Sequence, residues 1–167
     1  MRLAVLTDIH ANKEAFQAVL ADLAQRRIDR LAFLGDIVGY GPDPDWCIDT
    51  VADFAAKGAI CVRGNHDRAV AVPDGALNDN ARRVIDWTVN RLNARQKLFL
   101  GELPLTVRDE DTLFVHASAN DPADWIYVTS AHAAMPGFRV SDARLILCGH
   151  VHRAALFSCD LTGRVAQ

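Results

Sequence analysis

The sequence is poor in the features that mark several protein classes. No apolar run approaches the roughly 20 residues that cross a bilayer, and the opening MRLAVLTDIH has one arginine, a short apolar stretch ending in a carboxylate, and no small-residue cleavage site. Neither a membrane span nor a secretory leader is expected, and the cytoplasm is the expected compartment. Cysteine is scattered: Cys47, Cys61, Cys148 and Cys159 form no CxxC pair, so neither a disulfide framework nor a thiolate zinc knuckle is indicated, and all four read as core thiols. A strong charge of one sign is also missing. The formal net charge of −3 gives no footprint for non-specific nucleic-acid binding, leaving at most a local basic group at Arg82, Arg83 and Arg91. Internal repeats, low-complexity tracts and linkers are absent, so the 167 residues, half of them hydrophobic, are read as one domain spanning 1–167.

What is present is an alternation of short apolar runs and helical patterns. RLAVL (2–6), RLAFL (30–34) and AICV (59–62) read as buried strands. A helix starts after Asn12, which can cap it, with Glu14 in its first turn; a second runs from about Pro44 to Lys57 and closes at Gly58. Strand, helix, strand, helix, strand predicts an α/β protein with a parallel sheet covered by helices. Residues 73–101 read as mainly helical, with Val84, Ile85, Thr88, Val89 and Leu92 on one face. LPLTVRDEDTLFVHAS reads as a hairpin, 119–141 as irregular, ARLILCGHVH as another buried strand, and the last residues as a hairpin cut off in its second strand.

Five of the six histidines, His10, His66, His116, His150 and His152, fall at or just beyond the ends of apolar runs; His132 does not. Asp8, Asp36 and Asn65 occupy equivalent places. In open α/β sheets ligands bind where strands end, because side chains from several strands converge there. Each short motif alone has an ordinary reading as a capped turn or a satisfied core histidine. For all of them to be ordinary at once is a much stronger demand. About seven nitrogen and oxygen donors without thiolate suit Mn²⁺, Fe²⁺, Zn²⁺ or Ni²⁺. That is too many for one open metal site, but right for two ions sharing a carboxylate, the usual device for hydrolysing phosphate esters.

The order DIH, GDIVGYG, RGNHD, VHAS, GHVH resembles the calcineurin-like metallophosphoesterase superfamily, and GDIVGYGPDP is most similar to its small prokaryotic phosphodiesterase branch. The resemblance implies a two-sheet β-sandwich flanked by helices, an αββα arrangement. It implies two divalent metal ions, manganese first, with iron, zinc or nickel as alternatives. One would be held by Asp8, His10, Asp36 and His152, the other by Asp36, Asn65, His116 and His150, with Asp36 as the bridge. His66 would be the general acid and Asp67 would orient it. Arg63 and Asn12 match positions that contact phosphate oxygens, although Asn12 keeps its helix-cap reading beside this one. The implied reaction is in-line attack on phosphorus by a hydroxide between the metals, with His66 protonating the departing alkoxide.

The chain departs from its relatives after GHVH, where they usually continue with strands that complete the second sheet. It is expected to be a shortened version or a fragment with C-terminal strands partly missing, and an open sheet edge would favour pairing between copies. GDIVGYG lacks the Asp-Arg pair of protein phosphatases, so a small phosphodiester or nucleotide is the expected substrate, with Trp125 and Tyr127 available to stack on a base. The alternatives are a fold that serves as a protein-binding scaffold, and a dinucleoside polyphosphate hydrolase or nuclease.

Overall fold

Three parallel strands linked by two helical crossovers form the first half of the chain. In the computed structural model, which describes residues 1–72 and 79–167, β1 (Leu3–Leu6), β2 (Arg30–Phe33) and β3 (Ile60–Cys61) lie side by side in that order. The register pairs Val5 with Ala32 and Phe33 with Cys61. Helices α1 (Lys13–Ala24) and α2 (Pro44–Ala56) connect them. Asn12 caps α1 by accepting the Ala15 amide at 3.0 Å, and Pro44, whose missing N–H is no loss in a first turn, opens α2.

Three helices follow, α3 (Asn65–Ala71), α4 (Asp79–Arg91) and α5 (Ala94–Glu102). Of the stretch expected to be helical, residues 73–78 lie outside the described residues. The rest is broken between α4 and α5, where Asn93 and Gln96 cap each other's amides at 3.0 and 3.1 Å. Ile85, Thr88 and Leu92 of the expected α4 face are buried.

The second sheet is the expected hairpin, β4 (Thr106–Asp109) and β5 (Thr112–Val115), extended by β6 (Leu145–Leu147) parallel to β5. Three expectations need correction here. The segment 119–141 is not wholly irregular but contains α6 (Ala131–Val140), with Ser130 as its cap; Pro136 inside the helix hides the pattern. β6 is an edge strand rather than a buried one, and Leu145 is exposed because no strand pairs on its other side among the described residues. Cys148 and Cys159 are exposed, and only Cys47 and Cys61 are core thiols. The terminal hairpin, β7 (Ser158–Cys159) with β8 (Val165–Ala166), forms around a turn in which Asp160 Oδ1 accepts the Thr162 and Arg164 amides.

Period-two alternation sorts the core into two layers. Phe33 and Cys61 face the helices and pack with Phe16, Ile48, Val51 and Leu100. Ala32, Leu34, Ile60 and Val62 face the other way and meet Phe114, with Val107 and Leu147 beside it. The two sheets therefore stack face to face, with helices over the outer face of the first. An Arg30–Asp109 ion pair ties β2 to β4. No helix among the described residues is long and apolar enough to cross a membrane.

Candidate metal centre

The loops that follow the strands are laced together by their own backbones. The amides of Asp8, His10 and Ala11 donate to the carbonyls of Gly35, Asp36 and Ile37 at 3.1, 2.9 and 2.9 Å, which joins the loop after β1 to the loop after β2. Asp36 Oδ1 accepts the His66 amide at 2.9 Å, adding the loop after β3. The Gly149 amide donates to the His116 carbonyl at 2.9 Å, and His150 N donates to Asp8 Oδ2 at 3.0 Å. Gly64 packs so closely on Asp36 that a Cβ there would collide with the carboxylate. Five of the expected ligands, Asp8, His10, Asp36, His150 and His152, have φ between 50° and 67°. Non-glycine residues rarely take this left-handed conformation, and such strain persists where surrounding structure imposes it.

This lacing brings the seven expected ligand residues into two groups that share one carboxylate. In the first, His152 Nε2 lies 3.1 Å from both Asp8 Oδ1 and His10 Nε2, and Asp36 Oδ2 lies 3.8 Å from His10 Nε2. In the second, His116 Nε2 lies 3.3 Å from Asp36 Oδ2, 3.2 Å from Asn65 Oδ1 and 3.1 Å from His150 Nδ1.

Three imidazoles have their tautomers fixed by carbonyls, which can only accept. His10 donates Nδ1–H to Val38 O at 3.1 Å, His116 donates Nδ1–H to Leu34 O at 2.6 Å, and His150 donates Nε2–H to Trp125 O at 2.9 Å. In each neutral ring the other nitrogen turns a lone pair toward the cluster, the arrangement in which ligand histidines are held. Asp8 Oδ1 is buried and accepts no hydrogen bond, while its Oδ2 is occupied by Thr7 Oγ1 at 2.6 Å. Ring nitrogens 3.1 Å apart can share a proton in a hydrogen bond, and the same spacing lets them share a cation. Cations that bind nitrogen and oxygen at about 2.0–2.2 Å set neighbouring ligand atoms about 3 Å apart, so these donors fit two divalent ions.

The electrostatics agree with this. Burial would raise the Asp36 pKa, but hydrogen bonding and charge from His116, with further help from His66 and His10, lower it instead. Burial works against charge on His116 too, yet Asp36 and the Leu34 carbonyl outweigh it and raise its pKa to about 9. Burial lowers the pKa values of His10, His66 and His150. A favourable position for a proton thus lies between His116 and Asp36, and a cation bound there would displace it.

His66 stands beside the first group, its ring 5.0 Å from that of His10. Asp67 does not orient it, contrary to expectation. The buried Asp67 carboxylate accepts the amides of Ile37 at 2.9 Å, Val38 at 3.2 Å and Gly64 at 3.0 Å, while His66 Nδ1 is buried without a partner. Burial and the neighbouring Asp36 charge raise the Asp67 pKa to about 7 against the pull of the amides. Arg63 turns to the end of α5, donating Nη1–H to the Gly101 carbonyl at 2.8 Å, while its Nε is buried without a partner among the described residues. Asn12 spends Oδ1 on the α1 cap and keeps its NH₂ group. His132 is exposed on α6, with no contact to the cluster.

Sequence reasoning missed two parts of the site. Tyr40, quoted within GDIVGYG but given no role, lies 4.7 Å from the rings of both His10 and His66. From the sequence, Trp125 and Tyr127 are groups that stack on a base or pack their own segment down, with no role toward a ligand residue. Trp125 supplies the carbonyl that orients His150, and Tyr127 stacks on the His150 ring at 4.1 Å and 21°. A carbonyl ligand carries no side-chain signature, but an aromatic residue between two glycines was a signal that could have been used.

Comparison with known proteins agrees with the geometry. The calcineurin-like phosphoesterase family model matches residues 1–154. An uncharacterized protein of Methanocaldococcus jannaschii is 34% identical over 156 residues, which are 90% of this chain and 62% of that protein. A metallophosphoesterase from Sphaerobacter thermophilus superposes with a TM-score of 0.80 at 38% identity, covering 91% of this chain and 61% of that one. A protein of Pyrococcus horikoshii, at 22% identity, shares the fold with a TM-score of 0.83 over 97% of this chain and 73% of its own. The chain thus spans less than two thirds of the first two relatives. A family match over nearly its whole length, on a fold that gathers the family's five motifs at one end of two stacked sheets, makes this chain a member of the calcineurin-like phosphoesterase family.

Proposed function

We propose that the chain is a metal-dependent phosphoric ester hydrolase acting on a small phosphodiester or nucleotide. The observation that carries the proposal is the place of Asp36 Oδ2, 3.8 Å from His10 Nε2 and 3.3 Å from His116 Nε2, which makes one oxygen common to both ligand groups. Asp8, His10, Asp36 and His152 would hold one divalent ion and Asp36, Asn65, His116 and His150 the other, with manganese first among ions that suit such donors. When bound, two such ions lower the pKa of water and offset charge on the phosphoryl oxygens.

The chain's own residues prepare that chemistry. Backbone amides occupy Asp8 Oδ2 and Asp36 Oδ1, so the remaining carboxylate oxygens point inward. The carbonyls of Val38, Leu34 and Trp125 hold three protons on the outward nitrogens of their histidines. His66 is the general acid, and it gives its proton from Nε2, since Nδ1 is closed off. Its lowered pKa makes the protonated ring the stronger acid and the less populated one at neutral pH. The NH₂ group of exposed Asn12 is available to a phosphate oxygen, and Arg63, with one guanidinium N–H left without a partner among the described residues, is the second group proposed for substrate binding.

The test is metal analysis after loading, paired with assays of bis(p-nitrophenyl) phosphate and p-nitrophenyl phosphate across Mn²⁺, Ni²⁺, Zn²⁺ and Mg²⁺. Close to two ions per chain and faster hydrolysis of the diester are expected. Less than one ion per chain after loading would overturn the reading in favour of a scaffold.

A further inference from the structure

Of the imidazoles in the buried part of the site, His66 is the one whose orientation no hydrogen bond among the described residues explains. His10, His116 and His150 each donate to a carbonyl. His66 is 95% buried, its Nδ1 has no partner, and the neighbouring carboxylate of Asp67 is engaged by three amides. An acid that must meet a leaving-group oxygen needs a fixed ring plane, so something else holds it.

The contacts identify that element as the Gly39–Tyr40 segment. The backbone at Gly39, at φ +93°, presses on one edge of the His66 ring, so closely that a Cβ would collide with Nδ1. The Tyr40 ring packs on His66 at 4.7 Å and 57°, and His10 completes the enclosure at 5.0 Å and 80°. Tyr40 has φ 63°, a conformation a bulky residue rarely takes, and its side chain is held against the two histidines although the residue is 62% exposed. An exposed aromatic in a strained backbone contributes little to a core, so its contact with the site is its distinguishing feature.

We propose that Tyr40 is a positioning residue for His66, fixing the imidazole plane by ring packing in place of a carboxylate. The proposal rests on the general-acid reading of His66 given above. Tyr40 also touches His10, at 4.7 Å, but the Val38 carbonyl holds that ring independently. Removing the Tyr40 ring should therefore loosen the acid and leave the ligands in place. Aromatic packing is the active property, so phenylalanine should replace tyrosine.

The experiment compares Tyr40→Leu, Tyr40→Phe and His66→Ala with the unaltered chain in two measurements. The first is the nuclear Overhauser contact between the His66 ring and the Gly39 α-protons in the metal-free protein. The second is turnover of a p-nitrophenyl diester, whose leaving group needs no proton, against an alkyl diester, whose leaving group does. Tyr40→Leu should lose the contact and about tenfold or more in kcat on the alkyl ester, with less than about threefold change on the p-nitrophenyl ester and unchanged metal content. Tyr40→Phe should match the unaltered chain in both measurements. Retention of the contact in Tyr40→Leu, equal losses on both esters, or a Tyr40→Phe variant that behaves like Tyr40→Leu would each overturn the proposal. If His66→Ala fails to separate the two esters, the acid assignment itself is wrong, and the contact measurement alone decides whether Tyr40 holds the ring.

Discussion

His10 and His152, 142 residues apart in the chain, meet nitrogen to nitrogen at 3.1 Å. The first motif and the last are thus closed on each other, with Asp8 Oδ1 3.1 Å from His152 Nε2. His152 differs from the other members of its group in being half exposed, with a side chain 50% accessible. His152→Ala should therefore weaken one ion by about tenfold or more and leave the second bound, because His116, His150 and Asn65 do not depend on it. Calorimetric titration with Mn²⁺ should show one tight and one weakened site; two unchanged sites would remove His152 from the ligand set.

Asp36→Asn should be more damaging. One oxygen of Asp36 serves both groups and the other accepts the His66 amide. The asparagine keeps a hydrogen-bond acceptor but loses the charge at the shared position. Metal content should fall to one ion per chain or fewer, and turnover by more than about a hundredfold, since even outer partners of ligands are worth 10- to 100-fold.

Asp67→Asn should affect stability more than chemistry. Three backbone amides point at this fully buried carboxylate, and an amide NH₂ turned toward any of them leaves donors facing donors. A loss of about 1–3 kcal/mol is expected in urea unfolding, the usual scale for leaving a buried hydrogen-bonding group unsatisfied. His66→Ala should cost less, since its side chain makes no hydrogen bond through Nδ1. A destabilisation smaller for Asp67→Asn than for His66→Ala would contradict this account of the loops.

The four thiols should separate by environment. Exposed Cys159 should react first with a thiol reagent. Cys148, exposed but with its thiol pushed up by desolvation and by Asp8, should follow, while Cys47 and Cys61 should react only on unfolding. Burial pushes both core thiols up to about 12. An unfolded thiol ionises near 8.5, so above that pH the unfolded chain has lost protons that the native chain retains. Stability from these groups is therefore full below about pH 8.5 and declines toward pH 12. In the Cys47→Ala/Cys61→Ala double variant the alkaline fall in unfolding free energy from urea titrations should be shallower, by about 2.7 kcal/mol per pH unit between about pH 9 and pH 11.

By itself the sequence determined the elements whose patterns are local. Asn12 as a cap, Pro44 as a helix opener and the apolar runs around Ala32 and Phe114 are short-range facts, and the strands and helices they predict are present. The candidate ligand set could be proposed for a similar reason: aspartate, asparagine and histidine recur just past several strand ends, and their order matches one family. Where Pro136 interrupted the period of α6, or where an absent neighbour left β6 at an edge, local pattern misled.

The tertiary structure decided what each group is paired with. Asp67 is beside His66 in sequence, yet its charge is drawn to amides at Ile37 and Val38, because buried N–H groups of a folded loop must find an acceptor. Arg63 Nη1 is drawn to the Gly101 carbonyl, a partner 38 residues away that no local pattern names. The inward lone pairs of His10, His116 and His150 depend on carbonyls of Val38, Leu34 and Trp125, which any residue type would supply equally. Side-chain identity could announce the donors, but only the path of the backbone could aim them.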